Sequence, residues 1–279
     1  MRAPSPGVRM RPFFLDRDSG RRFCVAFEPE GAGSCRGGVL LAPAFAEEMH
    51  KSRRMTALQA RALAEQGYMV LSIDLLGSGD SAGDFSDATW DAWKDDLAAG
   101  LAWLETHVAR RPSLWGVRLG CLLGLDFAQS QWDRFARVVL WQPAPSGKTF
   151  LTQFLRLVAA RAALRGKPTG SGTEASRARL ASGRPQEVAG YTLSTALVRA
   201  IDGQRLADLA PVGAECHWLT VLSTAADTLG PAEQAVVDAW RQHGVDLHVT
   251  TVSGDPFWRA TYEIAECPAL LAATSAIFA

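Results

Sequence analysis

The stretch Leu114-Trp115-Gly116-Val117-Arg118-Leu119-Gly120-Cys121 constrains this chain more than any other. It reads as a short buried strand that turns sharply between two glycines into an apolar helix, the sequence form of a nucleophile elbow. In such a turn the middle residue stands strained and exposed above the sheet, with a helix N-terminus behind it to favour negative charge. Here the tip is Arg118. A guanidinium is always protonated and cannot attack a carbonyl, so serine-type chemistry at this position is excluded.

The elements on either side fit an open sheet. Phe13-Phe14-Leu15 and Arg22 to Phe27 read as two strands joined by the turn Arg17-Asp18-Ser19-Gly20, preceded by a Pro-rich tail expected to be disordered. Gly37 to Pro43 is an apolar run without alternation, as in a strand buried on both faces. A loop, Ala44 to His50, then leads to a helix through Met55, Leu58, Ala62 and Leu63 that stops at Gly67. Strand Tyr68 to Ile73, loop Asp74 to Asp84 and a helix from Thr89 to His107 repeat the plan before the elbow. After it come strand Arg137 to Trp141, then strand Cys216 to Leu222, helix Pro231 to His243, strand Asp246 to Val252 and a last helix from Pro268. About eight strands alternating with helices predict an α/β fold with a mostly parallel, doubly wound sheet.

Alternation stops between residues 146 and 210. Helical patterns at Leu151, Phe154, Leu155 and Val158 and at Leu193 to Ile201 flank a Gly/Ser/Arg-rich linker from Gly166 to Arg184. The expected organisation is a core of 1–145 and 211–279 interrupted by a small helical lid, 146–210. That insertion carries ten Lys and Arg against four Asp and Glu, a net of +6. It is either a solvated basic face or a lid that attracts an anionic substrate or partner.

The chain as a whole has no net charge, which removes the field that would gather nucleic acid. No run of about 18 apolar residues predicts a membrane span, and the start of the sequence lacks the apolar segment of a secretory signal. Five widely spaced cysteines without a C-x-x-C pair read as free thiols in a reducing, cytoplasmic setting. No H-E-x-x-H, C-x-x-C or P-loop pattern suggests a metal or nucleotide, so no cofactor is expected. Gly77-Ser78-Gly79 lacks the third glycine of a dinucleotide fingerprint.

Asp74-Leu75-Leu76-Gly77-Ser78-Gly79-Asp80-Ser81 is similar to the D-x-x-G-x-G-x-S loop of α/β-hydrolases, at the right distance before the elbow. More narrowly, Pro43 to Met49, Trp115 to Gly120, Leu140 to Pro143 and Gly254 to Trp258 resemble the exosortase A system-associated hydrolase 2 family, over nearly the whole chain and with the elbow arginine included. The resemblance implies the α/β-hydrolase fold, hydrolysis of an acyl ester or thioester, and bacteria that make exopolysaccharide and sort PEP-CTERM proteins. It also implies partner proteins from that system.

Position by position, a Ser-His-acid site is only partly present. Asp227 fills the acid position after strand Cys216 to Leu222. In the register of the histidine stands Phe257, beside Trp258; none of the five histidines follows Gly254, and His248 reads as a buried strand histidine with a hydrogen-bond partner. Cys121, one turn past the tip, reads as core packing, and Ser81 as a turn or cap hydroxyl. Trp90 and Trp93 read as core aromatics.

An arginine at a helix N-terminus calls for an anion, and the chain offers Glu47 and Glu48. Arg118 is therefore expected to form a bidentate ion pair with one of them, sealing a retired site, or to work in a functional pocket. As an enzyme, Glu47 or Glu48 with Asp80, Asp84 or Asp227 would act as general base while Arg118 holds a carboxylate, a phosphate or an oxyanion. As a binding module, the pocket would hold an anionic small molecule through Arg118 without chemistry. As a scaffold, the basic lid would contact polysaccharide machinery. Phe45, Leu119, Asp80, Ser81, Phe257 and Trp258 are the candidate substrate-binding residues.

Overall fold

The computed structural model describes residues 7–30, 35–164, 173–223, 228–259 and 265–279, with the backbone alone described at 157–164. Ten strands occur there: β1 (Val8–Leu15), β2 (Arg22–Pro29), β3 (Gly37–Ala42), β4 (Tyr68–Ile73), β5 (Ser113–Val117), β6 (Arg137–Trp141), β7 (Gln186–Val188), β8 (Tyr191–Leu193), β9 (Glu215–Leu222) and β10 (Leu247–Ser253). The helices are α1 (Glu47–Glu65), α2 (Trp90–His107), α3 (Leu119–Ala128), α4 (Gly147–Leu164), α5 (Thr173–Ala181), α6 (Thr195–Gly203), α7 (Pro231–Gln242) and α8 (Pro268–Ile277). Eight strands form one sheet in the order β1-β2-β4-β3-β5-β6-β9-β10, and β7 and β8 make a separate hairpin. β1 and β2 pair antiparallel and β2 joins β4 antiparallel; the other six strands run parallel. This is the α/β-hydrolase arrangement that the resemblance implies.

The apolar runs explain the layering. Every residue of β3 and of β5 is buried, because helices cover both faces of the sheet. One face packs Val39, Leu41, Trp115 and Val139 under α1 and α8. The other packs Leu40, Leu114, Val138 and Trp218 under α2, α3 and α7. All six parallel strands point their C-terminal ends toward the edge that carries the elbow, where ligands of open α/β sheets bind.

Three expectations are corrected. The loop placed at Ala44 to His50 ends at Ala46, because α1 begins at Glu47. No side chain caps this helix, so its start carries no capping signal in the sequence. The linker placed at Gly166 to Arg184 contains α5, pinned by Arg177, whose guanidinium donates to both Asp202 carboxylate oxygens, the Lys148 carbonyl and the Thr152 hydroxyl. Finally, His248 is not buried: it is 53% exposed on the edge strand β10, 3.2 Å from Asp246 and stacked on His217 at 4.9 Å. The N-terminal tail expected to be disordered falls at residues 1–6, outside the described residues.

The loop Asp74 to Asp84 is held by its own motif. The Ser81 hydroxyl donates to the Asp74 carbonyl and accepts from the Phe23 amide, both within 2.8 Å. The Asp74 carboxylate accepts from Arg53 and from the Asp80 amide, and a Cβ on Gly79 would lie 1.9 Å from its Oδ2. The D-x-x-G-x-G-x-S pattern thus builds a rigid loop rather than a reacting group.

At the far edge, Glu28 of β2 accepts from the guanidinium Nε of Arg9 and of Arg11, at 2.8 and 2.7 Å. Burial pushes this carboxyl up, but the two guanidiniums more than offset that and hold it below the ordinary value. Its contribution to stability is complete above the unfolded glutamate pKa of about 4.3 and disappears as the pH falls through the lower folded value. Acid titration of unfolding is expected to show Glu28→Gln losing less stability than the wild type between about pH 5 and about pH 3. Parallel acid profiles for the two proteins would contradict this.

Candidate functional site

The elbow is made by sterics. Arg118 links β5 to α3 at φ 56°, ψ −118°, a conformation that costs a non-glycine residue roughly 1–3 kcal/mol. A Cβ on Gly120 would lie 2.3 Å from the carbonyl oxygens of Ala42 and Pro43, and one on Gly116 2.7 Å from the Cα of Cys121. Both glycines are therefore required for α3 to seat against β3 and β5. Among the described residues, four non-glycine residues have positive φ, and three of them lie at the same sheet edge: Arg118 and Gln142 directly after β5 and β6, and Ala46 in the loop from β3 to α1. Strain is concentrated at this site, as is usual where a site is preformed.

The Arg118 side chain is 9% exposed and makes one bond from each of its three nitrogens. Nε donates to Glu48 Oε2 at 3.1 Å, Nη2 to Glu48 Oε1 at 3.2 Å, and Nη1 to the Gln142 carbonyl at 3.1 Å. The guanidinium also lies over the rings of Phe150, at 5.6 Å, and Trp258, at 5.1 Å. Arg118 stands at the N-terminus of α3 and Glu48 in the first turn of α1, so two helix N-termini and one cation share a single carboxylate. Of the two candidate glutamates only Glu48 takes this place. Glu47, its neighbour on the helix, lies 3.3 Å from Lys51.

The guanidinium borders a cleft of about 420 Å³. Its walls come from the end of β6, the start of α4, the loop after β9 and the turn after β10, with Gln142, Phe150, Ser223, Glu233, Trp258 and Arg259 among its lining residues. On the other side of the elbow, beneath Phe45, Leu119 and Trp93, lies a cavity of about 10 Å³, room for a single water at most. Phe45 closes that side: its ring is within 5.3–6.1 Å of Phe85, Trp93, Phe150 and Phe154, each edge to face.

The sequence-derived candidates therefore divide. Arg118 and Glu48 meet, Trp258 borders the cleft, and Phe45 and Leu119 line the small cavity. Phe257 lies in the core against Trp141 at 6.0 Å, because the turn after β10 directs it under the sheet and its neighbour toward the cleft. Asp80 and Ser81 belong to the rigid loop and line neither space. Asp227 lies outside the described residues. Gln142 was not singled out by sequence. Its backbone carbonyl accepts from Arg118 and its side-chain oxygen accepts from the Val221 amide at 2.8 Å, so it joins the elbow to β9. The one signal for it was a polar residue between a buried strand and a proline.

Cys121 is fully buried, and burial pushes its thiol well above the usual range, opposed in part by the Arg118 charge. Cys24 is pushed up to about 12 by the same cause. A thiol reagent is expected to modify no more than the half-buried Cys35 in the native protein and all five cysteines after unfolding. Rapid native labelling of Cys121 would show an accessible, activated thiol instead.

Among the described residues no group of three or more His, Cys, Asp or Glu could hold a metal ion. No described helix is long and apolar enough to cross a membrane.

Comparison with known proteins agrees with this architecture. Est1E from Butyrivibrio proteoclasticus, solved with ferulic acid bound, superposes with a TM-score of 0.64 at 17% identity, over 95% of this chain and 96% of that one. A thioesterase domain from the curacin biosynthetic pathway gives 0.58 at 16% identity over 97% and 99%. Carboxyl esterase 2 from the mycorrhizal fungus Tuber melanosporum gives 0.61 at 14% identity over 100% and 86%. At such identities the likeness is one of fold. No curated protein sequence matches the chain. The family model Hydrolase_4, described as serine aminopeptidase, S33, matches residues 33–217. The chain belongs to this family of the α/β-hydrolase superfamily.

Proposed function

We propose that this α/β-hydrolase-family protein binds a small molecule in the cleft beside Arg118 and performs no serine-type hydrolysis at its elbow. The observation that carries the reading is the bidentate pairing of Arg118 with Glu48 at the nucleophile's position. A guanidinium supplies no nucleophile, and a carboxylate engaged in two charge-assisted bonds is a poor base toward water. None of the five histidines lines the cleft: His217 and His248 stack on each other within β9 and β10, His107 stacks on Trp103 at the end of α2, His50 stacks on Tyr191, and His243 bonds the Ala239 carbonyl at the end of α7. The start of α4, at the head of the 146–210 insertion, covers the cleft as a lid, with Thr149, Phe150 and Gln153 lining it. The resemblance to the exosortase A system-associated hydrolases supports an exopolysaccharide and protein-sorting setting, with partners from that system. The free, largely buried thiols support a cytoplasmic location.

A second reading, hydrolysis of an acyl ester or thioester with Glu48 as base, is favoured by membership of a hydrolase family. Equilibrium dialysis with aryl and alkyl esters and thioesters, followed by chemical analysis of the bound material, separates the two. Binding is expected with the ester recovered intact, weakened roughly tenfold, or about 1.4 kcal/mol, by Trp258→Ala. Conversion to acid in proportion to protein would establish hydrolysis, and no binding across the panel would remove this ligand class.

A further inference from the structure

We infer that Glu48 is a built-in counter-ion that makes the cleft select neutral, carbonyl-bearing ligands over their carboxylate counterparts. The inference rests on the binding reading above and specifies its ligand class. A guanidinium has five N–H donors. Three of those on Arg118 go to Glu48 and to the Gln142 carbonyl, which leaves one on Nη1 and one on Nη2 outside these bonds at the border of the cleft. A carbonyl oxygen accepts from such donors without adding charge. A ligand carboxylate would instead place a second anion beside Glu48 on a cation that is already neutralised.

Among the described residues, the charged side chains of the lining supply no net positive charge. The charged residues among the described ones that border the cleft are Arg118, Glu233 and Arg259, and with Glu48 behind Arg118 they comprise two cations and two anions. Glu233 itself accepts from the Gly230 amide at 2.8 Å, at the start of α7. Phe150 and Trp258, on which the guanidinium packs, supply apolar surface for the body of an amide, ester or lactone. Glu48 is thus a specificity-determining residue: it acts through Arg118, and its removal exposes the charge that would attract an anion.

The test compares isosteric pairs, benzamide with benzoate and phenylacetamide with phenylacetate, by calorimetry on the full chain at neutral pH. Wild type is expected to bind each amide on the order of tenfold more tightly than its acid. In Glu48→Gln the ratio is expected to reverse, and in Glu48→Asp, which keeps the charge, to remain. The wild-type ratio stands by itself should Glu48→Gln fail to fold. Tighter binding of the acids by wild type, or an unchanged ratio in a folded Glu48→Gln, overturns the inference while leaving the cleft a binding site. Binding of neither class up to millimolar concentrations removes both this inference and the reading beneath it.

Discussion

Asp96→Ala is expected to lower the unfolding free energy by about 3–5 kcal/mol, because it strands a buried guanidinium. Arg22 and Asp96 are each 1% exposed. Asp96 Oδ1 accepts from Arg22 Nε and Oδ2 from the Leu76 amide, both at 2.7 Å, so one carboxylate joins β2, α2 and the glycine-rich loop. The rest of the Arg22 guanidinium is held by the Gly20 carbonyl and the Ser19 hydroxyl. Burial pushes the Asp96 carboxyl above its ordinary range against the pull of Arg22 and the Leu76 amide. The pair is therefore costly to bury but far costlier to break. Since a domain's whole stability is about 5–15 kcal/mol, the alanine variant should be largely unfolded in modest urea, whereas Arg22→Met combined with Asp96→Leu should lose less than the single change. A loss under about 1 kcal/mol for Asp96→Ala would mean that the pair is hydrated in solution.

Glu48→Ala is expected to cost about 2–3 kcal/mol, toward the lower end for a broken buried pair because Glu48 is 14% exposed. The elbow gives this prediction an internal control. Two helix N-termini meet at the site, so it tolerates an unpaired anion better than an unpaired cation. Arg118→Gly removes the cation and also relieves the backbone strain of a non-glycine residue at φ 56°. It should therefore destabilise less than Glu48→Ala, although it deletes the larger side chain. Denaturant unfolding of both variants and of the double variant checks the order. The reverse order would assign the stabilisation to packing of Arg118 on Phe150 and Trp258 rather than to its charge.

Much of the fold was legible because apolar runs such as Gly37 to Ala42 and Ser113 to Val117 have one physical explanation, burial on both faces of a parallel sheet. The elbow was legible for a similar reason: Gly116 and Gly120 stand where any Cβ collides with backbone. The start of α1 was not, since Ala46 caps it without a side chain and two successive glutamates resemble a polar loop. That concealed start also left the choice between Glu47 and Glu48 open in the sequence, because only the phase of the helix decides which of them reaches Arg118. Phe257 and Trp258 looked equivalent for the same kind of reason. One turn of chain puts the first in the core and the second beside the cleft. Gln142 was concealed because its bond to Arg118 comes from its backbone carbonyl at a strained φ, which residue type does not encode, and its side chain serves the backbone of β9 rather than the elbow arginine.

The most direct test of the central claim, that the elbow arginine is a closed ion pair and not part of a hydrolytic centre, is turnover of a panel of short and long acyl esters and thioesters. Purified wild type, Arg118→Ala and Glu48→Gln are compared at high protein concentration. The closed pair predicts no release of acid above the buffer rate from any of the three. Turnover by wild type that is lost in either variant would contradict it and place Arg118 and Glu48 in a working, serine-free active site.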